Sequence, residues 1–491
     1  MDLLSYPYWL LALMGSQATA ERYKVLAAES SSFYYLFADE MPIYSVLTDK
    51  AEGFAPFSEI QKQNTLKALK YVESVTALRF TQTVDPVQAN TLTFVTNSQI
   101  AGSYGYAYLP EIHPLGSDIF LASDPTNATL SVGTRGALTL LHEIGHALGL
   151  KHPHEKVDGL GAHSVLSSGE DRVANTIMSY IAPSSEDFKF EFNDLDIAGL
   201  HYIYGPNNYA RVGNDRYNLS ATQSNFIWDG GGVDTVDASN LPTGITLHLV
   251  PGHHDFIGVS RKLEITSEGQ ITINHGTMIE NVIGSGFDDF LYGNSQNNVI
   301  TGNGGANTIV GGGGIDTAQY NDAIAAVSFH RAIEVGDNAW RVQLPNGVND
   351  ILYEVERLSF RDLNLAIDLN GNAGATAKLL GAFLGAKGIK ESSLVGFGLK
   401  FLDGGNSLED LIDLAYTTIF GNSPDIQSVI SKFYYNLTGL SSPLEIVSRY
   451  TNLIDEGELT LYSLAVQVSE HELNLSNINF IGLYNAGLEY S

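Results

Sequence analysis

Glycine returns every ninth residue at Gly284, Gly293, Gly302 and Gly311, and this period constrains the fold more than any other feature of the chain. The sixth place of each unit holds Asp289, Asn298, Asn307 and Asp316; the eighth holds Leu291, Ile300, Ile309 and Ala318. The pattern follows G-G-x-G-x-D-x-U-x, the repeat of a parallel β-roll. Glycines form each turn, eighth-place side chains stack inward, and sixth-place oxygens with turn carbonyls hold calcium. The expected calcium-binding residues are Gly284, Gly286, Asp289, Gly293, Asn298, Gly302, Gly304, Asn307, Gly311, Gly313 and Asp316. A flexible glycine-rich linker needs neither the period nor the apolar eighth places. Asn298 and Asn307 put neutral ligands where a carboxylate is usual, so calcium should bind less tightly at those turns. The roll is short, and few ions are expected.

A second stretch carries chemistry. His142-Glu143-Ile144-Gly145-His146-Ala147-Leu148-Gly149-Leu150-Lys151-His152 reads H-E-x-x-H-x-x-G-x-x-H. On a helix, His142 and His146 project from one face one turn apart, within reach of a single metal ion. Gly149 can take the left-handed conformation that ends a helix sharply, bringing His152 back toward the same ion. Three neutral nitrogens leave one position of a tetrahedral zinc open for water, as a catalytic site requires. Glu143 is placed to take a proton from that water. Downstream, Thr176-Ile177-Met178-Ser179-Tyr180 puts a methionine where a turn can pass beneath the metal.

On the zinc motif, the methionine turn and the repeats, over about Ala51 to Asn372, the chain resembles the serralysins. These are secreted bacterial metzincin proteases with an RTX-type calcium-binding repeat domain. The resemblance implies that His142, His146 and His152 bind zinc and that Glu143 is the general base. It also implies that Tyr180 can ligate zinc and swing away to stabilise the oxyanion. Ala101 to Pro110 would form the edge strand above the cleft, and Ser117 to Leu121 the strand before the zinc helix. An exposed edge strand can bind an extended peptide by strand addition. Thr134 to Leu150 would be the zinc helix, and Asp194 through Gly205 the last helix of the protease domain. The expected function is a secreted zinc-dependent endopeptidase, with protein or peptide substrates. Two alternatives are a protease dedicated to one surface-layer or biofilm protein, and a calcium-dependent surface or adhesion protein. An intact Glu143 argues against the last, because that carboxylate serves only chemistry.

At 491 residues the chain is too long for one core. The expected fold is multidomain: residues 1–50 an N-terminal segment or propeptide, 51–208 an α/β metzincin-type zinc protease domain, 209–372 the β-roll, and 373–491 a small helical domain. With no cysteine, disulfides and a cysteine switch are excluded. Many proteins exported by type I secretion also lack cysteine, and such a system is the expected export partner. The formal net charge of −29 makes nucleic acid an unsuitable partner and calcium a suitable one. No apolar run approaches the ~18 residues that span a bilayer. Trp9 to Met14 is apolar and Ala18-Thr19-Ala20 mimics a signal-peptidase site, but the first basic residue is Arg22. A propeptide or a helix packed on the protease domain fits better.

Ser58 to Val75 carries Leu66, Leu69 and Val72 at helical spacing, with a Ser58–Gln61 capping box. Leu92 to Val95 reads as a buried strand. Leu344 to Asp368 alternates like strands, and Leu408 to Phe420 and Ile426 to Leu437 are amphipathic. His113, His154, His163, His253 and His254 have no competing ligand spacing and read as surface or loop residues.

Overall fold

The computed structural model describes residues 7–16, 19, 21–24, 33–42, 44, 52–111, 115–157, 164–181, 188, 190–332 and 339–491; His113 and His163 lie outside them. The chain forms two compact units. One comprises Met1–Asp234, Pro251–Phe256 and Ser260–Ile279; the other comprises Thr235–Val250, Ile257–Val259 and Glu280–Ser491.

The first unit is α/β. Helix α1 (Tyr8–Met14) buries every residue from Trp9 to Met14. Strand β1 (Phe33–Phe37) pairs in parallel with β2 (Phe80–Gln82) and β3 (Thr91–Asn97), so the sheet takes in chain from before residue 51. In β3 all positions are buried, as the β-branched and aromatic run TLTFVTN requires of a central strand covered on both faces. Helix α2 (Glu59–Val75) lies between β1 and β2 in the chain. Ser58 starts it with the expected box: its hydroxyl accepts the Gln61 N–H at 3.4 Å, while its own N–H donates to Gln61 Oε1 at 2.8 Å. Leu69 and Val72 are buried as expected, but Leu66 is 41% exposed. The buried stripe runs through Gln61, Thr65, Ala68, Val72 and Val75, and Leu66 falls beside it.

Strand β4 (Gly105–Ala107) is antiparallel to β5 (Ile119–Ala122), whereas β3 and β5 are parallel. The order β2-β1-β3-β5-β4 leaves β4 at the edge. Helix α3 (Arg135–Ala147) follows, then α4 (Asp194–Tyr204), which packs against α1. A single core joins Leu10 and Leu13 of α1 to Leu140 and Ile144 of α3 and Leu195 and Leu200 of α4.

The second unit contains the repeats. Strands Phe290–Tyr292 and Thr308–Val310 pair in parallel on one face, and Val299–Thr301 and Thr317–Gln319 on the other. Successive repeats therefore alternate between two sheets. The eighth-place residues Leu291, Ile300, Ile309 and Ala318 are wholly buried between them. The first sheet continues through Asn349–Tyr353 and the antiparallel strands Trp340–Gln343 and Ser328–Arg331. The second continues through Arg357–Ser359, Asn364–Ala366 and finally Leu488–Tyr490.

Between those last two strands lies a helical segment. Helix Asn372–Leu384 packs against Ser392–Asp403, Ile426–Thr438 and Leu461–Ser469. Phe383, Tyr416 and Phe433 share one core there, with Phe383 edge-on to both neighbours at 5.0 Å. Arg357, 3% exposed, ties the roll to this segment by bonding Asp368 at 2.5 Å and Asp403 at 2.8 Å.

Candidate metal and catalytic site

Helix α3 starts where the Thr134 hydroxyl accepts the Ala137 N–H at 3.3 Å. It ends at Ala147 with Leu148 as its cap, and Gly149 follows with φ +104°. A side chain there would be strained, and its Cβ would lie 2.6 Å from the Tyr23 ring, so the position requires glycine. The next residues are pinned: the Leu150 N–H donates to Gly145 O at 2.9 Å, and the Lys151 N–H to Leu13 O at 2.7 Å. His152 is thereby returned to the face of α3 that carries His142 and His146.

The three imidazoles meet through their Nε2 atoms. His152 Nε2 lies 3.2 Å from His142 Nε2 and 3.0 Å from His146 Nε2. His142 Nδ1 lies 2.7 Å from Ile177 O, and His146 Nδ1 lies 2.7 Å from Leu150 O. A carbonyl can only accept, so each Nδ1 carries the proton and each Nε2 turns a lone pair inward. His152 Nδ1 is 2.7 Å from Glu155 Oε1, which orients it the same way. Burial holds His142 down to about 4 and His146 and His152 below their ordinary values, which keeps the inward-facing nitrogens unprotonated. Three lone pairs facing one point repel unless a cation stands there. A tetrahedral zinc with Zn–N of about 2.0–2.1 Å would separate its nitrogens by about 3.3 Å, so the donor set fits that ion.

Glu143 is 4% exposed, and its Oε2 has no hydrogen-bond partner among the described residues. Burial alone pushes it up to about 8, and an adjacent dication would reverse that shift. Gly105 of the edge strand packs directly on it; a Cβ there would stand 2.8 Å from Glu143 Oε1. Met178 is fully buried beneath α3, its Sδ filling the space a Cβ on Gly145 would need. Tyr180 is 66% exposed, its ring centroid 4.4 Å from that of His152 and 5.9 Å from that of His142. Gly105, Glu143, Tyr180 and the three histidines line an open cleft of about 780 Å³ bounded on one side by β4.

Other groups at this site were not singled out by spacing. His154, read as a surface residue, stacks on His152 at 5.3 Å and lies 5.1 Å from Tyr180. Lys151 donates from Nζ to the carbonyls of His152, Glu155 and Ser164 at 3.0, 2.7 and 3.0 Å, which closes the loop after the third histidine. Asp196 of α4 is fully buried and accepts the Ile177 N–H at 2.8 Å. Its distance in sequence from the motif hides that role.

In the roll, the sixth-place side chains are buried and stitch one turn to the next. Asp289 Oδ1 accepts from Ile245 N–H at 2.8 Å, Asn307 Oδ1 from Asp289 N–H at 3.0 Å, and Asp316 Oδ1 from Asn298 N–H at 2.7 Å. The ladder extends past the last glycine repeat. Asp350 Oδ1 accepts from Asn307 N–H and Glu356 Oε2 from Asp316 N–H, both at 2.8 Å.

The two asparagines differ from the aspartates in what faces the turn. Asn298 Nδ2 donates to Glu280 O at 3.0 Å, and Asn307 Nδ2 to Gly304 O at 3.3 Å, so an amide partners carbonyls that an ion would otherwise draw on. Asp316 Oδ2, by contrast, is buried with no hydrogen-bond partner among the described residues. Burial and the charges of Glu356 and Glu354 push Asp316 up to about 7, so this turn has most to gain from a cation. Outside the repeats, carboxylate oxygens of Asp215, Asp229 and Asp234 lie within 4.8 Å of one another and form a further donor group able to hold one.

Comparison with known proteins agrees with this geometry. Residues 283–318 match the RTX calcium-binding nonapeptide repeat in four copies. The chain is 30% identical to a serralysin of Proteus mirabilis over 279 residues, 49% of this chain and 55% of the relative. It is 31% identical to serralysin B of Dickeya chrysanthemi over 269 residues, 49% of this chain and 54% of the relative. With the metalloprotease AprA of Pseudomonas entomophila it shares 32% over 278 residues, 50% of this chain and 56% of the relative. The matches thus span about half the length of these relatives. Over about half of its length the chain is thus similar to serralysins, and it carries four RTX calcium-binding repeats and a C-terminal helical segment.

Proposed function

We propose that this chain is a secreted zinc-dependent endopeptidase of metzincin architecture whose roll folds around calcium. The observation that carries the reading is the convergence of three unprotonated Nε2 atoms beside a buried Glu143, whose Oε2 has no partner among the described residues, in an open cleft. His142, His146 and His152 would hold zinc, which when bound supplies Lewis acidity toward a carbonyl and acidifies water. Glu143 takes the proton of the attacking water and delivers it to the leaving amine. Tyr180, able to turn because it is exposed, donates to the developing oxyanion or adds its oxygen to the ligand set. The free edge of β4 aligns an extended peptide over Glu143.

Gly284, Gly286, Asp289, Gly293, Asn298, Gly302, Gly304, Asn307, Gly311, Gly313 and Asp316 are the proposed calcium-binding positions, with Asp316 the strongest and the asparagine turns the weakest. No helix among the described residues is long and apolar enough to cross a membrane. The repeats and the absence of cysteine support export by a type I system.

The test is hydrolysis of a quenched-fluorescent peptide library by the zinc-loaded chain. Chelator should abolish cleavage. Glu143→Gln should retain one zinc yet lose at least a thousandfold in turnover. Near-normal turnover by Glu143→Gln would defeat the mechanism.

A further inference from the structure

Among the described residues, Lys151 and Arg135 are cations lining the cleft, and the proposed chemistry uses neither. Lys151 is committed through Nζ to three backbone carbonyls, Glu155 is bonded to His152, and Glu143 is buried at the floor. Arg135 is different. It is exposed, lines the cleft, and among the described residues its guanidinium makes no hydrogen bond or ion pair. It is held in place over the Tyr104 ring, with Cζ 4.7 Å from the centroid. A guanidinium held over a ring still has N–H groups free to grip a carboxylate with two parallel bonds.

Its position relative to the reacting centre is set by two elements. On α3, Arg135 precedes His142 by two turns and shares its face, roughly 10 Å away along the axis. On the other wall, Tyr104 immediately precedes Gly105, the residue packed on Glu143. The Tyr104 carbonyl accepts the Ala122 N–H at 2.9 Å and Asn127 Nδ2 at 2.7 Å, so the ring beneath the guanidinium has a fixed base. Arg135 and Tyr104 therefore flank the same end of the cleft. A peptide in extended form advances about 3.3 Å per residue. The side chain that reaches Arg135 belongs to a residue about three places from the scissile bond.

We propose that Arg135 is a specificity-determining residue that selects peptide substrates carrying Asp or Glu about three residues from the bond cleaved. This rests on the endopeptidase reading above. The protein carries a net charge of −29, and its general field repels acidic chains. The selection therefore acts at short range, within the roughly 8–10 Å that salt leaves unscreened.

Two measurements on the full chain test this. The first is the cleavage profile of a mixed-sequence peptide library by the zinc- and calcium-loaded protein, Arg135→Gln and Arg135→Glu. Arg135 sits in the first turn of α3, where glutamate is well tolerated, so both variants should fold and keep zinc. The wild type should favour acidic over basic residues roughly fivefold at one position two to four residues from the cut, the scale of an exposed ion pair. Arg135→Gln should lose that preference, Arg135→Glu should invert it, and about 0.5 M salt should flatten all three profiles.

The second is fluorescence-polarisation binding of a pair of peptides, one with Glu and one with Lys at that position, to Glu143→Gln and to Glu143→Gln with Arg135→Glu. The order of affinities should reverse between the two proteins. The same acidic-to-basic ratio with and without Arg135 would overturn the proposal. Reversal of binding without any hydrolysis by the wild type would instead overturn the endopeptidase reading and leave Arg135 as a selector of acidic peptides.

Discussion

Asp196 and Ile177 are joined so that one residue of the methionine turn is gripped on both sides. The Asp196 carboxylate accepts the Ile177 N–H at 2.8 Å, while Ile177 O lies 2.7 Å from Nδ1 of His142. Asp196 is fully buried and also accepts the Thr176 hydroxyl and the Asn193 N–H. A carboxylate on α4 thus orients a histidine on α3 through a single intervening residue.

Asp196→Ala should leave the Ile177 N–H buried without a partner, at a cost of about 2–3 kcal/mol in stability. The carbonyl behind His142 would lose its fixed position, and zinc affinity should fall roughly ten- to a hundredfold. Asp196→Asn keeps the shape and one acceptor and should fall between. Competition titration with a zinc chelator, beside thermal unfolding, reads both effects. A destabilised Asp196→Ala with undiminished zinc affinity would show that the carboxylate supports the fold alone.

Tyr180 is set apart from the histidines by its exposure. Tyr180→Phe should leave zinc bound, because His142, His146 and His152 remain. It should lower kcat roughly ten- to a thousandfold with little change in KM, as loss of one oxyanion donor does. Steady-state kinetics on a single peptide, with zinc content measured on the same sample, decides the matter. An unchanged kcat would reduce Tyr180 to a packing residue.

Calcium should act unequally along the roll. Asp316 has a buried oxygen awaiting a partner, whereas the amides of Asn298 and Asn307 already bond to carbonyls around their turns. Asp316→Asn should therefore raise the calcium midpoint for folding of the full chain. Asn298→Asp with Asn307→Asp should lower it, since more ligand charge tightens binding. Circular dichroism during calcium titration from excess chelator to about millimolar provides the readout. Identical midpoints in all three proteins would contradict the assignment.

His201 supplies a pH dependence away from the three-histidine cluster. It is buried, its Nε2 lies 2.6 Å from Val75 O and its Nδ1 accepts Asn274 Nδ2 at 2.7 Å. Burial lowers it to about 4, and Arg211 and His275 add in the same direction, while the Val75 carbonyl opposes. In the unfolded chain it should protonate near 6.5. Below that value the unfolded state takes up a proton that the folded state refuses until about 4. The stability it contributes is thus present above pH 6.5 and is lost as pH falls toward 4, by roughly 3 kcal/mol in all. Comparing Tm across that range for the wild type and His201→Gln should show a shallower slope in the variant. Parallel slopes would assign the acid sensitivity to other groups.

The zinc motif, the methionine turn and the nine-residue period were legible because each depends on local spacing that helices and turns convert directly into position. The Ser58–Gln61 cap was legible for the same reason. What escaped depends on long-range return of the chain. Asp350 and Glu356 continue the sixth-place ladder, but the hairpin Ser328–Arg331 to Trp340–Gln343 is inserted before them and destroys the period. Strand β1 reads FYYLF with no alternation, and only its pairing with β2 and β3 reveals it. His154 and Asp196 acquire their roles from neighbours brought in by folding, and no motif marks either.

Helix α1 offers the Leu13 carbonyl to the N–H of Lys151, the residue just before His152, and fills the core with Trp9 to Met14. Loss of this helix would strip a hydrogen bond from the segment that carries His152 and open a void in the core beneath it. Disruption of this helix would thus reach the three-histidine cluster without touching any of its side chains.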